Sequence, residues 1–305
     1  MKKVSYFLVF FTSISLLAAC SQKKAAEAEA AKETVKEQVE EKKVDPNLVA
    51  EGPNEKLIEA KGTTPAYVLI NKPQVDISAY PKDKDGFITL FDGKTFTGWR
   101  GYDKDTVPGR WIIDQGAIKF NGSGGGEAQV ADGGDLIFAR KFKNFELTFE
   151  WKVAKGSNSG ILYLAQEVKG QPIYISSPEF QILDNANHPD ATQGNDGNRQ
   201  SASLYDMIPA KPQNSKPFDQ WNTSSITVFK GSVFHKQNGK TVVEYHLWTP
   251  QWTELLQKSK FSQEKWPLAF ELLNNLGGAN HEGYIGLQDH GDDVWYKNIK
   301  IKITD

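Results

Sequence analysis

The sequence has one cysteine, Cys20, in 305 residues, so no internal disulfide staples the chain and its stability must come from packing. Charge of one sign is missing as well. Lys and Arg together number 36 against 38 Asp and Glu, which excludes the basic footprint of a nucleic-acid binder. No apolar run reaches the roughly 20 residues needed to cross a bilayer as a helix. There is no internal repeat and no strand–helix alternation of the kind that builds a parallel sheet. No glycine loop leads from a strand into a helix, so a phosphate cradle is excluded. NGSGGG at 121–126 reads as a mobile loop. A G-x-S-x-G nucleophile elbow and the H-x-x-x-H, C-x-x-C and EF-hand spacings are absent too.

The N-terminus carries an address. Lys2 and Lys3 precede the apolar stretch Val4 to Leu17, which ends in Leu17-Ala18-Ala19-Cys20. Small residues directly before a cysteine resemble the lipobox of bacterial lipoprotein precursors. That resemblance implies cleavage before Cys20 and lipidation of its sulfur and new amine, enough acyl chain for stable anchoring. Ser21 in the next position resembles lipoproteins sent on to the outer membrane of Gram-negative bacteria. The chain therefore divides into a signal peptide (1–20), a charged tether with an irregular lead-in (21–85), and a domain from 86 to 305. Within the tether, residues 22–43 are rich in Ala, Glu and Lys and read as a solvated helical spacer.

What is abundant points to β structure. Eight Trp, ten Tyr, seventeen Phe and 26 Gly suit an antiparallel fold and equally suit sugar binding. In 145–153, Phe145, Leu147, Phe149, Trp151 and Val153 alternate with polar residues, the mark of a half-buried strand. Gln115-Gly116 and Asn238-Gly239 read as hairpin turns. Residues 251–259 form the one convincing helix, whereas 267–273 is ambiguous. Many short strands at regular spacing predict an all-β, two-sheet sandwich with one short helix. Sequential neighbours are expected to pair, and the outer face of one sheet can then be concave.

Two stretches carry the chemistry. In Ser177 to Asp184, Glu179 and Gln181 share one face of a strand while Phe180 and Ile182 take the other. In Gly283 to His290, Gln288 and His290 repeat the pattern. A carboxylate and an imidazole over a shared polar floor can serve as general base and acid, so Glu179 and His290 are the candidate catalytic pair. Asn158, Gln181, Tyr205 and Gln288 are candidate substrate ligands, and Ser159 could donate a further hydrogen bond. Asp184 joins that face only if a bulge intervenes. A divalent metal is the one cofactor left open, with Asp184 and His188 as its candidate ligands in an oxygen-rich loop that equally suits plain solvent exposure. Trp99, Tyr102, Tyr163, Tyr205, Trp248 and Trp252 are candidate stacking platforms for a sugar.

Several long segments carry a family resemblance: GFITLFDGKTFTGW, NFELTFEWKVAKGSNSGILYLAQE, SPEFQILDNANHPDA, SASLYDMIPAKPQ and GYIGLQDHGDDVWYKNIKIK. They resemble the family once catalogued as DUF1080 and now called the 3-keto-disaccharide hydrolase domain, over roughly residues 86 to 305. The resemblance implies a concanavalin A-like jelly roll and hydrolysis of glycosides already oxidised to a ketone at C3. Many relatives carry an arginine shortly after N-S-G, where this chain has Leu162, Tyr163 and Leu164, so contacts of that arginine do not carry over. Glu179–Gln181–Asp184 is also similar to the E-x-D-x-x-E strand of retaining β-glucanases, but with an amide in the middle, which disfavours double displacement. The alternative reading is a lipid-anchored carbohydrate-binding module without catalysis. Either way the expected partner is an oligosaccharide or glycoside.

Overall fold

The computed structural model describes residues 49–50, 52–122 and 132–304. The signal peptide, Cys20, the charged spacer and most of the NGSGGG loop lie outside the described residues. Sixteen strands follow in chain order: β1 (Glu55–Ile58), β2 (Tyr67–Ile70), β3 (Ile88–Thr89), β4 (Trp99–Gly101), β5 (Trp111–Asp114), β6 (Ala117–Phe120), β7 (Leu136–Phe142) and β8 (Phe145–Val153). The second half supplies β9 (Asn158–Ala165), β10 (Glu167–Val168), β11 (Glu179–Leu183), β12 (Asn222–Phe229), β13 (Ser232–Gln237), β14 (Lys240–His246), β15 (Gly283–Leu287) and β16 (Val294–Ile303). Two helices, α1 (Pro250–Lys258) and α2 (Pro267–Asn274), lie between β14 and β15.

A five-stranded sheet in the order β11-β9-β15-β7-β4 and a larger sheet running β14-β13-β12-β8-β16-β6-β5 bury a common core. This is the expected all-β sandwich of jelly-roll type. The expectation of sequential pairing fails at the centre of both sheets. β8 pairs with β16 and β7 with β15, because a jelly roll brings the two ends of the chain together. The alternation of β8 is kept, with its five apolar side chains buried, each contributing about 1.5–3 kcal/mol. Both expected hairpin turns form, with positive φ at Gln115 and Gly116 and at Asn238 and Gly239, the signature of a type I′ turn.

Two segments depart from expectation. Residues 55–70, read as irregular lead-in, form the β1–β2 hairpin, and β2 pairs onward with β10. The partner strand lies about a hundred residues away, so local sequence could not announce it. The second helix, α2, was ambiguous because Leu268, Ala269, Phe270, Leu272 and Leu273 are all buried, an apolar run without a polar face. Its N-cap, Trp266, offers no side-chain bond. By contrast α1 has a capping Thr249, whose Oγ1 accepts from the Trp252 amide at 3.2 Å, and Pro250 in its first turn.

Candidate active site

The site is built on three adjacent strands of the five-stranded sheet. Every residue of β9, β11 and β15 is buried. One face, with Ile161, Tyr163, Phe180, Ile182, Ile285 and Leu287, joins the sandwich core. The opposite face is divided. At one end Ile137, Leu162, Ile173 and Tyr284 form a second apolar cluster. At the other end lie the polar residues.

The register aligns those polar residues. Gln181 pairs with Gly160 and Leu183 with Asn158 across β11 and β9. On the other side the Gln288 amide donates to the Gly160 carbonyl at 3.0 Å. Gln181, Gly160 and Gln288 therefore form one row, and Asn158 and His290 the next. Glu179 stands one row toward the apolar end and leans over Gly160. A Cβ at position 160 would lie 2.6 Å from its Oε1. The carboxylate thus occupies the space that Gly160 leaves empty, between the two glutamines. Glu179, Gln181, Asn158 and Gln288 are all at most 7% exposed, so this floor lies deep.

Asn158 ties the imidazole to an aspartate. Its amide Nδ2 lies 3.1 Å from His290 Nε2, and its backbone N–H donates to Asp292 Oδ2 at 3.0 Å. Two buried amide atoms, Asn158 Oδ1 and Gln181 Nε2, have no protein partner among the described residues. Leaving such an atom unsatisfied costs about 1–3 kcal/mol, a cost that a sugar hydroxyl can offset. Gln181 Oε1 accepts from the Ile182 amide at 2.9 Å, which leaves its NH2 group free for that purpose.

Asp184 is engaged by the protein itself. Its oxygens accept from the amides of Gly156 (2.8 Å) and Ala186 (3.2 Å) and from Asn187 Nδ2 (2.7 Å). No bulge interrupts the pairing of β11 with β9, so the carboxylate turns away from the floor and pins the following loop. That loop delivers His188. One nitrogen of His188, one of His290 and a carboxylate oxygen of Asp292 lie within 4.8 Å of one another. Among the described residues, the group whose geometry could hold an ion is His188, His290 and Asp292, which includes His188 of the expected pair but not Asp184. Sequence reasoning does not single out Asp292, whose one signal is its place two residues after His290. Burial pushes the His188 pKa below its ordinary value, and nearby His290 pushes it further, against the pull of Asp190, Asp292 and Asp184.

Other candidates turn out to be structural. Ser159 Oγ lies on the core side, donating to the Gln288 carbonyl at 2.6 Å and meeting Tyr296 Oη at 2.7 Å. Tyr205 donates to Asp190 Oδ2 at 3.2 Å, and its ring lies against the cations of Arg199 and Lys260. It is a wall of the loop 184–206, with its hydroxyl already committed. Trp99, Tyr163 and Trp252 are core residues, and Tyr102 belongs to the second apolar cluster. Trp248 stacks on His281, away from the polar floor.

The sequence profile described as the 3-keto-alpha-glucoside-1,2-lyase-like domain matches residues 86–302. The chain belongs to this family. All three site strands lie inside the matched region. A Bacteroides thetaiotaomicron protein named 3-keto-disaccharide hydrolase is 68% identical over 241 residues, covering 76% of this chain and 83% of that protein. Among solved structures, one from Parabacteroides distasonis, provisionally described as a glycosyl hydrolase, is 27% identical with a TM-score of 0.61. The match covers 72% of this chain and 95% of that one. A second structure from the same organism, with 23% identity and a TM-score of 0.51 over 72% of this chain and 99% of its own, shares the fold.

Proposed function

We propose that this lyase-like domain cleaves glycosides that already carry a ketone at C3, working by proton abstraction, elimination and hydration. The observation that carries the reading is the Glu179 carboxylate, seated over Gly160, on the same face as His290 and one strand step from Asn158. A C3 ketone acidifies the C2 proton. Glu179 takes that proton, and the electron pair moves onto the C3 oxygen as an enolate. The enolate collapses with cleavage of the C1–O bond, and His290 protonates the departing oxygen. Water then adds at C1 of the enone while a proton returns to C2. Stopping after elimination is a lyase reaction; completing the hydration is hydrolysis.

Asn158, Gln181 and Gln288 are positioned to bind sugar hydroxyls. Asn158 can serve both states of His290. Its NH2 donates to a neutral Nε2, and the amide turned over accepts from a protonated one. The lipobox at Cys20 supports an envelope address for this activity, with the chain anchored by lipid, in a Gram-negative cell on the outer membrane. A Cys20→Ser change is expected to release the protein from the membrane fraction.

The test is turnover of a 3-keto-α-glucoside, followed by loss of the ketosugar absorbance at alkaline pH. Glu179→Gln is expected to lower kcat by about 10²–10⁴, the usual worth of a general base. Full activity in that variant would remove Glu179 from the mechanism. Binding of the ketosugar without turnover by the wild type would instead favour a carbohydrate-binding module.

A further inference from the structure

The hydrogen bonding of His188 fixes more than its position. The ring is the N-cap of a short 3-10 turn, and its Nδ1 accepts the Asp190 backbone N–H at 3.1 Å. An accepting Nδ1 must carry a lone pair, so in the neutral ring the proton resides on Nε2. Among the described residues no protein acceptor engages that Nε2–H. The ring meets His290 edge to face at 6.1 Å between centroids and shares the cluster with Asp292. The loop that carries it is held by the three bonds to Asp184. The result is a half-buried donor, fixed in one tautomer and left without a protein partner beside the candidate acid.

Elimination from a 3-keto-glycoside needs such a donor. When the C2 proton leaves, negative charge develops on the C3 oxygen, and a donor placed there acts more strongly in the transition state than in the ground state. The C1 and C3 oxygens lie on either side of C2, so the acid for one and the donor for the other must come from neighbouring groups. His290 and His188 are such neighbours. We propose that His188 is a catalytic residue that donates a hydrogen bond from Nε2–H of its neutral ring to the C3 oxygen as it becomes an enolate. The assignment of the acceptor rests on the function proposed above. Burial disfavours the charged form of the ring, and a neutral imidazole can act as an electrophile that donates without surrendering its proton.

The competing use of the same three groups is a divalent metal, since two imidazoles and a carboxylate form a ligand set. The tautomer separates the two. A metal on Nε2 would require the proton on Nδ1, facing the Asp190 N–H with donor against donor.

Long-range 1H–15N correlation spectra of the full-length protein labelled in histidine, with His188→Ala for assignment, read the tautomer directly and need no substrate. The proposal expects a neutral Nε2–H ring, unchanged by chelator. On the 3-keto-α-glucoside, His188→Ala is expected to lower kcat by about 10²–10³, the usual worth of one oxyanion donor, with little change in KM. His188→Gln, which keeps an N–H donor, is expected to restore part of that loss. An Nδ1–H tautomer, an unchanged kcat in His188→Ala, or stoichiometric Zn2+ or Mn2+ binding that is lost with His188 and required for turnover would each overturn the proposal. Those results leave the proposed activity standing. Failure of the wild type to consume any 3-keto-glycoside overturns the activity, and the C3 acceptor with it.

Discussion

Gly160 and Glu179 meet across the β9–β11 pairing so closely that a side chain at one excludes the other: a Cβ at 160 would lie 2.6 Å from Oε1 and 2.8 Å from Cγ of Glu179. The glycine is not there for its backbone freedom, since it sits within an extended strand. It is there for the space. A carboxylate that would otherwise project from its own row is brought over the middle of the floor, beside Gln181 and Gln288.

Gly160→Ala therefore tests the site without removing any polar group. The glutamate must swing away, and a shift of about 1 Å can cost roughly 10² in rate. The expected outcome is a kcat lowered by about that factor on the 3-keto-α-glucoside, with a cooperative thermal transition close to wild type. A kcat within a factor of two of wild type would show that the carboxylate acts from elsewhere or not at all.

How far the sequence reached follows from which signals are local. Period-two alternation in β8 and the Asn238-Gly239 turn are properties of consecutive residues, and both appear as read. The polar faces of β11 and β15 were legible for the same reason. A floor shared between them was expected from those two patterns, and β9, lying between them, supplies it. β9 itself hides its role, because both of its faces are covered and its pattern gives no alternation of exposure. The metal-ligand expectation named Asp184 from the oxygen-rich composition of its loop, whereas the cluster in the fold contains Asp292. Donors from two loops, Gly156 on one and Ala186 and Asn187 on the other, engage the first, while the second is brought to His188 by a contact more than a hundred residues long in sequence.

The apolar end of the site sheet is held by a buried ion pair. Arg100 bonds both oxygens of Glu167, at 2.6 and 2.7 Å, and the Asp103 amide adds a third bond at 2.7 Å. The pair links β4 to β10, and its guanidinium lies over the Tyr284 ring, 5.5 Å from the centroid. Removing one partner strands the other, so Glu167→Gln is expected to cost about 3–5 kcal/mol in urea unfolding. The double change Arg100→Met with Glu167→Leu is expected to cost less than the single one. A single-variant loss below about 1 kcal/mol, the range of an exposed pair, would show that the charges are not sealed from water.

His235 predicts how stability responds to acid. Its Nδ1–H donates to the Ala202 carbonyl at 2.9 Å, and its Nε2 accepts from Tyr163 Oη at 2.8 Å, which Tyr245 Oη also contacts. Burial lowers the pKa from 6.5 to about 4. The folded protein therefore holds the ring neutral at pH values where the unfolded chain protonates it. Above pH 6.5 both states are neutral and the contribution is fully present. Between 6.5 and about 4 the unfolded state binds the extra proton, so stability falls as the pH is lowered, by about 3 kcal/mol in total. Below that window the slope from this residue vanishes. Urea unfolding at pH 7.5 and at pH 4.5 measures the drop, and His235→Gln, which keeps one donor and one acceptor, isolates it from the titration of every other group. The variant is expected to lose most of that dependence even if it is less stable at both values. Equal drops in wild type and variant would mean that the imidazole is protonated within the fold, and that the Tyr163–Tyr245 pair accommodates a charge in the core.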